Sequence, residues 1–261
     1  RAAKKQLRLL MCYLELSGFM QKGTPREVSR KELLERAEVS PQILSTLVTK
    51  GIFENYGKEI SRLSNNPLHT ESPYPLSPIQ QKAYNEIIDR FSQKETVLLH
   101  GVTSSGKTEI YIHLIDTVLK QGRQVLYLVP EIALTTQLTT RLQRVFGNKL
   151  SIYHSKFTDN ERVEIWNDLL HDKGAQIILG VRSSIFLPFR DLGLVIVDEE
   201  HEGSYKQQEP SPRYHARNAA IVLASMHGAK TLLGTATPAI ESYYNAQCGK
   251  YGLVELSSRH E

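Results

Sequence analysis

Six short apolar runs in the part of the chain after residue 95 constrain its fold more than any other feature. They are rich in Val, Ile and Leu and do not alternate with polar residues, which is typical of strands buried on both faces of a parallel sheet. The runs are 96–100, 124–129, 150–154, 176–180, 194–197 and 231–234, and helical patterns lie between them at 109–120, 134–146, 160–170 and 216–227. We therefore predict a doubly wound α/β domain, which binds ligands beyond the carboxyl ends of its strands.

The residues after the first run have the spacing of a phosphate-binding loop. Gly101-x-x-x-x-Gly106-Lys107-Thr108 lies between a predicted strand and a predicted helix, and this context makes the motif specific. The glycines let the backbone aim its N–H groups at phosphate oxygens, and Lys107 brings a positive charge to the β- and γ-phosphates. The Thr108 hydroxyl is a ligand for Mg²⁺. The motif predicts that the chain holds a nucleoside triphosphate with Mg²⁺, but it does not distinguish kinases, switches and motors.

An acidic cluster follows the fifth apolar run. Asp198, Glu199, Glu200 and His201 come directly after four apolar residues. We expect Asp198 to bind Mg²⁺, directly or through water, and Glu199 to polarise the attacking water. We expect His201 to sense the γ-phosphate. After the sixth run, Gly-Thr-Ala-Thr-Pro (234–238) offers two hydroxyls, which we expect to bond to the acids and to report the nucleotide state.

Three helical patterns and a hairpin pattern precede the linker. The helices are predicted near 3–16, after Ser29 and after Ser40, and residues 52–60 are predicted to form a hairpin that turns near Gly57. This order is typical of a winged helix-turn-helix. We predict a winged-helix domain over 1–64, a Pro-, Asn- and Ser-rich linker over 65–75, and the α/β lobe over 76–261. Such modules bind DNA or act as protein adaptors, and the sequence leaves both roles open.

Charge and composition limit the class of protein. Residues 1–70 hold 12 Lys/Arg and 7 Asp/Glu, so the overall charge of +4 is concentrated there. A basic excess of this kind suits a polyanionic partner, although a solvated surface alone also produces it. No run of about 18 apolar residues appears, so we expect no membrane partner. The two cysteines, Cys12 and Cys248, are expected to be reduced thiols of a cytoplasmic protein.

Three motifs in this order resemble the first motor lobe of superfamily 2 DExH-type helicases, which implies a RecA-like lobe with ATP and Mg²⁺ as ligands. They are Gly-x-x-x-x-Gly-Lys-Thr, Asp-Glu-Glu-His and Gly-Thr-Ala-Thr-Pro. Longer stretches resemble the bacterial primosomal replication-restart helicases, the PriA family, over essentially the whole chain. The stretches are GVTSSGKTEIY (101–111), LVPEIALTTQL (128–138), GVRSSIFLPF (180–189), VDEEHEGSYKQQEPSPRYHARNAA (197–220) and GTATPAIES (234–242).

The resemblance implies roles for residues that the spacing alone does not assign. Gln80 in Leu-Ser-Pro-Ile-Gln (76–80) resembles the adenine-reading residue ahead of the phosphate-binding loop. Pro-Glu-Ile (130–132) and Gly-Val-Arg-Ser (180–183) resemble two strand-end loops that contact single-stranded DNA, and Arg182 in the second is implied to pair with a phosphate. The resemblance also implies an aromatic-rich loop that contacts single-stranded DNA, and its residues here are Tyr205, Lys206, Gln207, Tyr214 and His215. The family usually has Gly where Ser104 stands, and we expect the loop to close normally with Ser.

The resemblance also implies what the intact protein does. It implies an ATP-dependent, 3′-to-5′ DNA helicase that recognises stalled forks and starts primosome assembly, with primosome proteins and single-stranded DNA-binding protein as partners. No part of this sequence matches the family's N-terminal DNA-binding domain. Nor does any part match the second motor lobe, which carries the arginine fingers and the zinc-binding cysteines. We therefore expect zinc only in the second motor lobe, and slow ATP hydrolysis from this chain alone. The alternatives are a winged-helix DNA-binding regulator with an ATPase switch lobe and, less favoured, a small-molecule kinase.

Overall fold

A seven-stranded sheet, every pair of it parallel, organises the larger part of the molecule in the computed structural model. Its strand order is β3-β4-β2-β5-β6-β1-β7. The strands are β1 (Thr96–Gly101), β2 (Gln124–Leu128), β3 (Leu150–Tyr153), β4 (Ile177–Gly180), β5 (Leu192–Asp198), β6 (Lys230–Thr235) and β7 (Gly252–Leu256). The structure describes residues 2–19, 28–54, 70–103, 105–154, 158–171 and 175–256.

Helices cover both faces of the sheet. In this unit they are α4 (Pro78–Gln93), α5 (Lys107–Lys120), α6 (Thr136–Phe146), α7 (Asp159–Leu170), α8 (Ala216–Met226) and α9 (Ile240–Gln247). Successive strand side chains point to opposite faces, so Val97 and Leu99 pack with Ile87 and Ile110, whereas Leu98 packs on the other face. Both faces are therefore dry, as the uninterrupted apolar runs predicted, and the predicted fold class is confirmed.

Three elements of this unit were absent from the pattern-based prediction, namely α4, α9 and β7. Strand β7 carries the exposed Glu255 and pairs only with β1, as the last strand of the sheet. An edge strand needs no continuous apolar run, because one side of it is not enclosed by other strands. The six-strand pattern therefore identified one edge strand of the sheet, β3, but not the other, β7.

The amino-terminal residues form a second unit, because the chain divides into Arg1–Ile60 and Ser61–Glu261. The described helices of this unit are α1 (Ala2–Ser17), α2 (Arg30–Ala37) and α3 (Pro41–Thr49). Ser29 caps α2 by accepting a hydrogen bond from the Glu32 amide, as the sequence predicts. The hydrophobic core of this unit is formed by the buried residues Leu9, Leu33, Ala37, Leu44 and Leu47.

Some predicted features lie outside the described residues. They are positions 55–60 of the predicted hairpin, 65–69 of the predicted linker, and Ser104 of the phosphate-binding loop. Within the described part of the chain, no helix has the length and apolar character needed to cross a membrane. Cys12 and Cys248 are both free thiols.

Candidate active site

The phosphate-binding loop lies where β1 ends and α5 begins. Gly106 has a φ of +79°, a left-handed conformation in which a Cβ is strained, so glycine is required there. The side chain of Lys107, only 8% exposed, folds back and donates to the carbonyl oxygens of Gly101 (2.9 Å) and Val102 (3.5 Å). The ammonium group is thereby held inside the loop that the spacing predicted.

Gln80 braces this loop from the start of α4. It is 2% exposed, and its Oε1 accepts from the Ser77 amide (2.9 Å) while its Nε2 donates to the Gly106 carbonyl (3.3 Å). The amide therefore completes the capping box of α4 and fixes the turn into α5. Its predicted contact with adenine stays a prediction, since both ends of the side chain bond within the chain.

Asp198 ends β5 beneath two buried tyrosines. Its Oδ1 accepts from the Tyr111 hydroxyl (3.0 Å) and the Glu199 amide (3.1 Å), and its Oδ2 accepts from the Tyr127 hydroxyl (3.3 Å). Burial, and then the charge of Glu199, raise the pKa of Asp198 to about 6, against the opposing effects of Tyr111 and Lys107. A carboxylate in this environment is stabilised by a nearby cation.

The two tyrosines were not predicted as site residues. Burial and the charge of Asp198 raise the pKa of both Tyr111 and Tyr127 well above the ordinary value, so both remain hydrogen-bond donors at neutral pH. Tyr111 reaches Asp198 across Gly234 of β6, where an added Cβ would overlap the Tyr111 hydroxyl. A glycine at 234 thus makes the contact possible, and the glycine of Gly-Thr-Ala-Thr-Pro was the only sequence signal for it.

His201 connects the acidic cluster to the strand-end loop after β6. Its Nδ1 lies 2.7 Å from the Thr235 hydroxyl and 3.7 Å from a Glu199 carboxylate oxygen, and its Nε2 lies 3.3 Å from the Thr237 hydroxyl. The two threonine hydroxyls therefore contact His201, which corrects the expectation that they bond to the acids. Glu199 itself has a φ of +45°, which lies in the left-handed region.

Glu200 is the member of the cluster to which no role was assigned. It is fully buried, and it accepts from Arg217 Nη1 (2.8 Å), the Ala239 amide (2.7 Å) and the Ser242 hydroxyl (2.7 Å). It therefore joins β5 to α8 and to the start of α9, and this fixes the 234–238 loop beside His201. A buried charge requires partners, but no signal in the sequence indicated that Glu200 is buried, because it stands among other charged residues after the strand.

A cleft of about 390 Å³, the nucleotide cleft, lies between the phosphate-binding loop and the acids at the end of β5. It is lined by Thr103, Ser105, Gly106, Lys107, Thr108, Glu109, Arg141, Asp198 and Glu199. The ion pair of Arg141 with the buried Glu109 was not predicted, since the two residues lie on different helices. Thr108 and Asp198 offer one hydroxyl and one carboxylate, which suits Mg²⁺ because this ion takes most of its ligands from water and phosphates. Among the described residues there is no cluster of three or more metal-binding side chains.

A second cleft, of about 190 Å³, also lies at the carboxyl ends of the strands. Its lining includes Pro130, Glu131, Arg182, Ser183, Ser204, Tyr205 and Gln207, which gathers the three loops predicted to contact DNA. Arg182 Nη1 donates to the carbonyl oxygens of Ser204 (3.1 Å) and Lys206 (3.3 Å). The guanidinium therefore holds the aromatic-rich loop on both sides of Tyr205.

The aromatic-rich loop differs in part from its prediction as a base-stacking surface. Tyr205 is 1% exposed, and its hydroxyl donates to the Asp198 carbonyl oxygen at 2.7 Å, so its ring is not available to a base in this structure. Lys206 is exposed, while Tyr214 and His215 are partly exposed. Burial, and then the charge of Arg217, lower the pKa of His215, which keeps its imidazole neutral at physiological pH.

Family models match both units of the chain. Residues 77–246 match the model described as DEAD/DEAH box helicase. Residues 1–60 match the winged helix domain of PriA helicase of Bacteroidota. The first match covers the phosphate-binding loop, the acidic cluster and the loop after β6.

Curated relatives named "Replication restart protein PriA" are similar over most of the chain. The protein from Bacillus subtilis is 38% identical over 99% of this chain and 32% of its own length. Those from Chlamydia pneumoniae and Haemophilus influenzae are 40% and 42% identical, over 94% and 85% of this chain and 33% and 31% of their own lengths. The predicted resemblance is confirmed, and the chain spans about a third of the length of these relatives.

Solved structures support the fold. RecG bound to a three-way DNA junction matches with a TM-score of 0.53 and 19% identity, over 98% of this chain and 30% of that protein. The DUF1998 helicase MrfA bound to DNA matches with a TM-score of 0.51 and 18% identity, over 70% of this chain and 27% of that protein. The family model matches residues 77–246, which include the phosphate-binding loop and the acids at the end of β5. The chain therefore belongs to the DEAD/DEAH box helicase family.

Proposed function

We propose that the chain is the winged-helix unit (1–64), linker (65–75) and ATP-hydrolysing lobe (76–261) of a bacterial, cytoplasmic replication-restart helicase. One observation carries the proposal. Lys107, Asp198 and Glu199 line one cleft, and a hydrogen bond joins Asp198 to the loop predicted to contact DNA. The similarity to PriA proteins over nearly the whole chain supports it.

In the full-length gene product, this lobe drives 3′-to-5′ translocation on DNA. The protein acts at stalled or abandoned forks and starts primosome assembly there, with primosome proteins and single-stranded DNA-binding protein as partners. These assignments rest on the similarity to the PriA proteins. The basic excess of residues 1–70 is consistent with contact between the winged helix and nucleic acid.

The proposed reaction is hydrolysis of ATP. The oxygen of a water molecule attacks the γ-phosphorus, the bond from that phosphorus to the β–γ bridging oxygen breaks, and ADP leaves with the electron pair. Glu199, at the cleft, orients the water and accepts its proton. Lys107 and the amino terminus of α5 bind the triphosphate through their positive charges.

Thr108 and Asp198 are the residues that would hold Mg²⁺. The raised pKa of Asp198 supports this assignment, because a cation offsets the burial of the carboxylate and its repulsion by Glu199. When bound, Mg²⁺ neutralises charge on the β- and γ-phosphate oxygens. Tyr111 and Tyr127 orient the carboxylate so that its position does not depend on the metal.

Control of hydrolysis by DNA follows from the contacts between the two clefts. Arg182 holds the carbonyl groups on both sides of Tyr205, and Tyr205 holds the carbonyl of Asp198. A DNA phosphate that attracts Arg182 pulls on this series of contacts and changes the position of the acids. The same contacts would serve a regulator with an ATPase switch lobe, which is the second candidate because of its basic amino-terminal unit.

Hydrolysis measured with and without DNA tests the proposal. In the full-length gene product, Lys107→Ala and Glu199→Gln are each expected to lower DNA-stimulated ATP turnover at least a hundredfold, because they remove phosphate binding and water activation respectively. Glu199→Gln should retain ATP binding. The control Glu86→Gln, an exposed carboxylate on α4, should match the wild type.

The choice of DNA separates the two candidates. A motor is expected to hydrolyse ATP repeatedly on single-stranded DNA and to separate a forked duplex. A switch responds to DNA but separates no strands. Wild-type turnover that does not change with any DNA would contradict both.

A further inference from the structure

Phe186 is an exposed aromatic residue near the carboxyl ends of the strands. The loops that are predicted to contact DNA lie at the same end of the sheet. It ends the short 3-10 helix Arg182–Phe186, which directly follows the carboxyl end of β4. Its side chain is 56% exposed, although the neighbouring Ile185 and Leu187 are buried. The ring is therefore accessible to a partner molecule, and its neighbours decide what kind of partner it suits.

Tyr214 holds the Phe186 ring from the side. The two ring centroids lie 5.1 Å apart with an interplanar angle of 75°, which is the edge-to-face geometry that aromatic pairs prefer. Tyr214 is part of the aromatic-rich loop and is itself partly exposed. The pair thus connects that loop to the helix that carries Arg182.

Positive charge surrounds the aromatic pair. Arg182 lies four residues before Phe186 in the same 3-10 helix, and its positive charge opposes the rise in the pKa of Tyr214 that burial causes. Lys206 is exposed on the facing loop, whose backbone Arg182 also holds. Single-stranded nucleic acid is bound by this combination, in which bases stack on aromatic rings and cations contact the phosphates.

We propose that Phe186, supported edge-on by Tyr214, stacks on an unpaired DNA base whose flanking phosphates contact Arg182 and Lys206. The inference deepens the proposed function and rests on it. Phe186 takes the stacking role that the sequence predicted for Tyr205, whose ring is enclosed in the core. The ring faces are the recognition surface, so the contact tolerates any base.

The test compares a base-containing strand with a strand that has none. The full-length gene product is titrated onto fluorescein-labelled oligo-dT and onto an abasic oligonucleotide of the same length, and binding is followed by anisotropy. Phe186→Ala is expected to weaken binding to oligo-dT about tenfold, which is the size of one lost base–aromatic stack. It should change binding to the abasic strand less than twofold, and Phe186→Trp should restore the affinity for oligo-dT.

Trp166→Ala is the matched control, because it removes another exposed aromatic ring, on α7. It should change neither the affinity for oligo-dT nor the affinity for the abasic strand. An equal loss on both strands after Phe186→Ala would overturn the inference, because the defect would then not involve bases. So would unchanged binding to oligo-dT. If the wild type binds neither strand, the proposed function fails instead.

Discussion

At the scale of single residues, Asp198 shows a conflict between its proposed role and the stability of the fold. Its pKa, raised to about 6 by burial and by Glu199, lies above the value of 3.8 that it has in an unfolded chain. The folded state thus binds the proton more tightly than the unfolded state does. The free energy of unfolding attributable to this group therefore falls as the pH rises from about 4 to about 6, and stays low above that.

Asp198→Asn is therefore expected to stabilise the protein at neutral pH. Removal of the buried charge should raise the free energy of unfolding by about 2 kcal/mol at pH 7.5, and the gain should disappear below about pH 3, where Asp198 is protonated in both states. Urea unfolding in EDTA without nucleotide measures it. The control Asp89→Asn alters an exposed carboxylate and should change stability by less than about 0.5 kcal/mol. A gain that is the same at both pH values would contradict the explanation.

At the scale of elements, the site depends on how α5 meets β5 and β6. Tyr111 on α5 reaches Asp198, 87 residues away, at the end of β5, and it passes over Gly234 of β6. Strands β5 and β6 are neighbours with Asp198 opposite Gly234 in register. The packing of the helix on these two strands therefore sets the position of the carboxylate.

Gly234→Ala is expected to disturb this packing, since the new Cβ overlaps the Tyr111 hydroxyl. Overpacking of this kind costs about 1–3 kcal/mol of unfolding free energy. Tyr111→Phe removes the hydroxyl, so the double variant should lose less than the sum of the two single losses. Chemical denaturation of the four proteins measures the coupling. Gly203→Ala is the control, because nothing lies within 4 Å of a Cβ there; strictly additive losses would contradict the contact.

At the scale of the whole molecule, the chain forms two units, each with its own hydrophobic core. The larger unit has two clefts at the carboxyl ends of its strands. The nucleotide cleft uses the ends of β1 and β5, and the second cleft uses the loops after β2, β4 and β5. Tyr205 connects the clefts, because it lines the second and bonds to Asp198 of the first.

Tyr205→Phe tests the connection. It removes the hydroxyl but keeps the buried ring, and we expect the ratio of DNA-stimulated to unstimulated ATP turnover to fall about three- to tenfold, the effect of one hydrogen bond of about 1 kcal/mol. Steady-state hydrolysis with and without oligo-dT measures the ratio. Tyr251→Phe is the control, since Tyr251 is partly buried but lines neither cleft. An unchanged ratio in Tyr205→Phe would limit Tyr205 to a packing role.

The fold class and the catalytic motifs could be predicted because their signals are local. Buried strands appear as apolar runs, and the phosphate-binding loop needs Gly106, Lys107 and Thr108 next to one another. Strand β7 was missed because the exposed Glu255 interrupts its apolar residues, which its position at the edge of the sheet permits. Arg141, paired with Glu109 in the nucleotide cleft, was missed because it comes from another helix.

By itself, the sequence determined the parallel α/β lobe, the position of the phosphate-binding loop and the acids at the end of β5. It did so because each is written in consecutive residues whose chemistry does not depend on distant neighbours. The tertiary structure decided which aromatic residues are enclosed and which face water: Tyr205 lies in the core against Asp198, and Phe186 is exposed beside Tyr214. Burial is set by packing between elements far apart in the chain, and sequence spacing does not contain that information.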